Sequence, residues 1–185
     1  MSRAPVPLPL LTGTGAVARL RARLGSRALT MMNWVDIVSP QLRRVHQDWM
    51  GLRAAGLMPD IRDYNAFAGS ALMTSFARTS ALVVIPPDGS SPTFKHVGPS
   101  LGTLLPNVHA GSRLSDMLSP MSRHETGLLF KRVCGTRQPE TRRGKQANSR
   151  DFELLLLPFG DGGLRVCLVY GVYDVSVVET RSHIQ

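Results

Sequence analysis

Hydrophobic positions are spaced three and four apart early in the chain and become continuous toward its end. The runs Phe152 to Phe159 and Leu164 to Tyr173 flank the turn Gly160-Asp161-Gly162-Gly163. Two β-rich runs joined through Asp-Gly predict an antiparallel hairpin. Because successive residues of both runs are apolar, both faces of their sheet need a cover. Upstream, Ser39-Pro40 sets an N-cap hydroxyl before proline at the first helical position. The helix that follows is expected to reach about Ala55, with Gly56 as its stop. Leu42, Val45, Trp49 and Leu52 form one stripe along it, which packs on the sheet or seams with the same helix of a second chain.

Leu57-Met58-Pro59 breaks the chain, and Asp63 is placed to cap a short helix reaching about Ala77. Ala81 to Ile85 and Thr93 to Val97 read as a strand pair around Pro86-Pro87-Asp88-Gly89. Short helical pieces are expected within 98–109 and 114–118. Ser119-Pro120 then opens a longer helix that ends before Gly135. On it Met121, His124 and Leu128 share one side, while Leu129, Phe130 and Val133 cover another. That breadth predicts a helix held between two layers. Pro139 to Gln146 reads as a basic third strand.

Length adds that 185 residues suit one domain with extensions. An apolar fraction of 43% argues against wholesale disorder. The net charge of +9 is unevenly spread: +5 precedes Asp36, +6 lies between Lys131 and Arg150, and the rest sums to −2. Pro5, Pro7 and Pro9 forbid a helix at the start, and Ala16 to Met32 forms at best a weak one, with Arg21 on its apolar side. Met31-Met32 offers a second start of translation. Cys134 and Cys167 lack CxxC spacing and read as reduced thiols of a cytoplasmic protein. No run approaches the roughly 20 apolar residues a membrane span needs.

Several of these residues carry a resemblance. His46-Gln47-Asp48-Trp49, then Leu57-Met58-Pro59 with Arg62, then Phe94-Lys95-His96-Val97-Gly98, and finally Glu153 to Phe159 with Asp161-Gly162 fall in this order. Together they resemble the PAS fold, and specifically the small stand-alone bacterial PAS proteins with a tryptophan-bearing N-terminal helix. The likeness covers about Gln41 to Tyr173. It departs at Pro99, where a small hydroxyl residue is usual, and at Ile61, an insertion between Pro59 and Arg62. The resemblance implies an α+β fold, a five-stranded antiparallel sheet flanked by helices. Residues 1–35 are then a flexible basic extension, 36–78 are N-terminal helices packing on the core, 79–178 are the PAS-like core and 179–185 a tail.

The resemblance also implies a non-catalytic sensory or protein-interaction module in bacterial signalling, with a space between the longer helix and the sheet for a small ligand. Phe94, His96, Met117, Met121, His124, Leu128, Leu156 and Val169 are the expected lining. No cofactor is expected. An axial haem contact through His124 is weighed against ordinary hydrogen bonding in a helix's first turn. His96, sharing a side with Phe94 by strand alternation, is a pocket donor or a surface residue. A thiolate at Cys134 beside Lys131 and Arg132 would be activated, whereas Cys167 reads as an apolar packer.

Enzyme chemistry lacks its parts: GxSxG, GxxxxGK[ST] and HExxH are all missing. The basic residues Arg137, Arg142, Arg143, Lys145 and Arg150 suit an acidic protein partner or phosphate. A nucleotide- or nucleic-acid-binding regulator built around Arg142 is therefore the alternative function. Aromatic residues for base stacking are missing between those arginines, which counts against nucleic acid. The partners expected are thus a signalling protein, a small ligand and, through the N-terminal helix, a second copy of the chain.

Overall fold

The computed structural model describes residues 36–53, 56, 58–88, 90–102, 105, 107–116, 120–145, 151–162 and 164–174. The basic extension over 1–35, with its weak helix, and the tail over 179–185 lie outside the described residues. Strands β1 (Ser80–Val84), β2 (Thr93–Val97), β3 (Glu140–Lys145), β4 (Asp151–Asp161) and β5 (Arg165–Asp174) form one sheet. Their order is β2-β1-β5-β4-β3, and every neighbouring pair is antiparallel. This is the PAS-like five-stranded sheet flanked by helices. No described helix is long and apolar enough to cross a membrane.

Helix α1 (Pro40–Leu52) starts as expected: Ser39 Oγ accepts from the Leu42 N–H at 3.1 Å. It stops at Leu52, short of Ala55, because Arg53 turns extended. Leu42, Val45 and Trp49 are fully buried within the chain, and the Trp49 indole N–H donates to the Pro158 carbonyl at 3.0 Å. Leu52 is only partly buried but packs against the same core. A dimer seam through this stripe is therefore corrected, since its residues are spent on the chain's own sheet.

The single short helix expected after Asp63 is three pieces. A 3-10 turn at Ile61–Asp63 is capped by Asp60, followed by α2 (Tyr64–Ala68) and α3 (Ala71–Ser75). Ser70 caps α3, and Asp63 makes no side-chain cap. A further 3-10 turn at Ala77–Thr79 leads into β1. After β2 come the single turn α4 (Pro99–Gly102), a 3-10 turn at Leu114–Asp116 and the long helix α5 (Pro120–Thr136). Helix α5 runs past Gly135 and ends where Arg137 adopts φ 58°, its N–H bonded to the Val133 carbonyl at 2.8 Å. That left-handed stop is usually glycine's task.

Strand registers separate the two faces. Leu154, Leu156 and Pro158 lie opposite Tyr173, Gly171 and Val169 on one face; Leu155, Leu157 and Phe159 lie opposite Val172, Tyr170 and Leu168 on the other. Helix α5 covers the first face, where Glu125 and Arg132 reach Arg142 and Glu140 of β3. Helices α1 to α3 cover the second, where Tyr64 and Phe67 meet Phe159 and Tyr170 at ring-centroid distances of 5.4–6.1 Å. Both faces of the hairpin are buried, as its uninterrupted apolar runs require.

Candidate functional site

The expected lining residues separate. Phe94, Leu156 and Val169 are buried together on the face under α5. His96 is not with them. A register shift between Leu82 and Val83 sets His96 opposite Leu82 but Phe94 opposite Val83, so the two side chains serve different faces. Simple alternation misplaces His96 for that reason. His124 is exposed and Leu128 is 46% exposed. Helix α5 thus has a solvent side, and among its described residues Leu129, Phe130 and Val133 are buried in the core with Cys134 packed against it. The expectation of a helix held between two layers is corrected, and an imidazole on the solvent side is badly placed for a haem between helix and sheet. Met117 lies outside the described residues, as do the Met121 side chain, the Lys145 side chain and Arg150.

An open cleft of about 220 Å³ lies on the opposite face, between α2, α3 and the sheet. Its lining includes Tyr64 and Tyr170, whose rings lie 6.0 Å apart and tilted 56°, and Met73. Ser80, whose hydroxyl is bonded to Tyr170, and His96, whose imidazole lies 3.4 Å from the Ala77 carbonyl, line the same space. Burial, and secondarily the Tyr170 phenol, pushes Tyr64 up to about 12. Burial also raises Tyr170, partly offset by its bond to Ser80. Both phenols are neutral donors at physiological pH.

For an acid whose folded value exceeds its free value of about 10, the contribution to stability is complete below pH 10. It is lost as pH rises toward 12. A spectrophotometric titration of the tyrosines is expected to show a step well above the free-phenol range, and to lose it in Tyr64→Phe. A titration in which the Tyr64→Phe substitution removes only an ordinary step near about 10 contradicts the buried cleft wall.

A second constellation joins the entry of α1 to the sheet. Glu153 is fully buried. Its carboxylate accepts from the Val38 N–H at 3.0 and 3.1 Å, the Ser39 N–H at 2.7 Å and Arg143 Nε at 3.1 Å. The Ser39 hydroxyl donates to the Asp174 carboxylate, also buried. Arg143 continues to the Asp36 carbonyl and, at 3.0 Å, to its carboxylate. Residues 36–39, β3, β4 and the end of β5 are thereby tied at one point. A sequence signal for this existed: Glu153 sits two residues before Leu155 and four before Leu157, so alternation places it on a covered face.

The basic segment is largely engaged. Arg142 pairs with Glu125, and Arg143 with Glu153 and Asp36. Arg137 is half-buried at the end of α5. Arg142 and Arg143 point to opposite faces, as successive residues of a strand must, so these two do not share one anion patch. Burial pushes the Cys134 thiol up, the reverse of the activation expected from its basic neighbours. Cys167 is half-buried rather than a full core packer, its sulfur 3.8 Å from Arg165 Nη2. Among the described residues, no group of three His, Cys, Asp or Glu side chains is placed to hold a metal.

No family model and no curated protein matches this chain. Among solved structures, a light-oxygen-voltage domain studied with a flavin analogue is similar at 12% identity and a TM-score of 0.35, over 58% of this chain and 85% of that one. An RNA-binding light-oxygen-voltage receptor is similar at 15% identity and a TM-score of 0.36, over 66% of this chain and 36% of that one. The PAS-like fold stated above rests on the strand order and on the helix crossing between β2 and β3.

Proposed function

We propose that this chain is a non-catalytic PAS-type module of the small stand-alone bacterial kind, working in the cytoplasm through protein contacts and gated by a small ligand. The observation that supports this reading is the buried carboxylate knot. Glu153 and Asp174 hold the entry of α1, and Arg143 closes it, so a shift in β4 or β5 moves the start of α1 directly. A sheet mechanically joined to its flanking segment suits relay by contact and requires no reacting group. A resident cofactor has no part in this reading. The nucleotide or nucleic-acid alternative is weakened because its two central guanidinium groups are already satisfied by carboxylates.

Arg143→Ala is the informative variant, because Arg143 is partly exposed while the backbone donors to Glu153 remain. Cross-linking mass spectrometry of the tagged full chain in the cells that express it is expected to find specific partners for the wild type. Those contacts are expected to be lost in folded Arg143→Ala. The same partners at the same occupancy in both proteins, or none in the wild type, overturns the reading.

A further inference from the structure

We propose that the cleft between α2, α3 and the sheet binds a small, uncharged ring compound carrying one hydroxyl or amide group. Ligand spaces of the fold family are expected under α5; this one lies on the other face. Its volume of about 220 Å³ exceeds the roughly 150 Å³ that suffices elsewhere for benzene, so one substituted ring fits. The space exists because Ala68 and Ala77, small residues, stand where larger side chains would fill it. The tilted rings of Tyr64 and Tyr170 offer a face and an edge to a planar guest.

The lining includes polar residues. His96 Nε2 makes a long 3.4 Å contact with the Ala77 carbonyl, which a ligand oxygen or amide can replace. Tyr64 and Tyr170 line the same cleft, and both phenols hold their protons at physiological pH. Among the described residues, Lys, Arg, Asp and Glu are missing from the lining, so a charged guest would lose hydration without a partner there. The position has a consequence for the sheet. The Ser80 carbonyl accepts from the Gly98 N–H at 2.7 Å, and Ser80 lies opposite Val172, so an occupant bears on the junction of β1, β2 and β5.

The inference rests on the ligand-gated part of the proposed function and names its site. Saturation-transfer NMR of the full chain with phenol, indole and benzamide, and with benzoate as a charged control, tests it. At least one neutral ring is expected to bind, to shift the His96 imidazole resonances, and to bind about tenfold more weakly in Ala68→Phe. Ala77→Leu serves the same purpose should Ala68→Phe fail to fold by circular dichroism. No binding by any neutral ring, equal binding in a folded cleft-filling variant, or benzoate binding as tightly as benzamide overturns the proposal. Loss of ring binding with partner contacts intact removes this site alone, whereas unchanged partners in Arg143→Ala remove the module reading.

Discussion

Glu153→Ala is expected to destabilise the protein by about 3 kcal/mol, lowering its melting temperature by roughly 6–12 °C. The carboxylate is wholly out of solvent and accepts from two backbone N–H groups and one guanidinium. Alanine strands those donors where water does not replace the lost acceptor, and each buried orphan costs about 1–3 kcal/mol. The removed side chain also leaves a void beside Leu155. Arg143 loses less, because its side chain is partly exposed and keeps Asp36. The expected total is therefore below the sum of its parts.

Glu153→Gln separates charge from shape. Its amide keeps one acceptor oxygen but turns an NH2 toward donors, so its loss should fall between wild type and alanine. Thermal denaturation by circular dichroism measures the three proteins, and hydrogen exchange at the first turn of α1 locates the effect. A melting temperature for Glu153→Ala within 2 °C of wild type, by the scaling of roughly 2–4 °C per kcal/mol, means the knot contributes little.

Much of this architecture is legible in the residues because it follows from strong, local rules. The hairpin is announced by two apolar runs around Asp161-Gly162, and Gly162 indeed takes φ 56°. Ser39-Pro40 announces α1, and the stripe Leu42, Val45, Trp49 announces its buried side. Where the reading fails, a non-local choice decides. Leu129, Phe130 and Val133 compete with Met121, His124 and Leu128 for the single covered side of α5, and the sequence does not rank the two stripes. A one-residue bulge against β1 moves His96 to the other face, although nothing in Thr93 to Val97 marks it. The candidate cleft depends on Tyr64, Ser80, His96 and Tyr170 from four separate elements, and only their packing brings them together. Glu153 is different. Its place was implied by alternation, yet a lone acid among leucines reads as a strand residue until its donors at Val38 and Ser39 are in view.

Gly98 carries the second large effect, and it gives physical content to the glycine that ends the Phe94-Lys95-His96-Val97-Gly98 motif. A Cβ at this position would stand 2.5 Å from both the carbonyl carbon and oxygen of Arg78 and 2.6 Å from the Ala77 oxygen. All three are backbone atoms of the 3-10 turn leading into β1, so no rotamer change relieves the contact. Moving the strand end instead strains the Gly98 N–H bond to the Ser80 carbonyl, the tie between β2 and β1. Replacing glycine with alanine gains about 0.4–1 kcal/mol through the unfolded chain. Overpacking costs about 1–3 kcal/mol and sits at the top of that range against rigid backbone. The cost wins, and Gly98→Ala should lose about 2 kcal/mol net. Gly51, exposed in α1 with nothing within 4 Å of where a methyl group would stand, is the matched control. There the same substitution should gain about 0.5–1 kcal/mol from helix propensity. Urea midpoints for the two variants are thus expected on opposite sides of wild type. A Gly98→Ala midpoint at or above the wild-type value would mean that the turn at Ala77–Thr79 yields, and with it the wall of the neighbouring cleft.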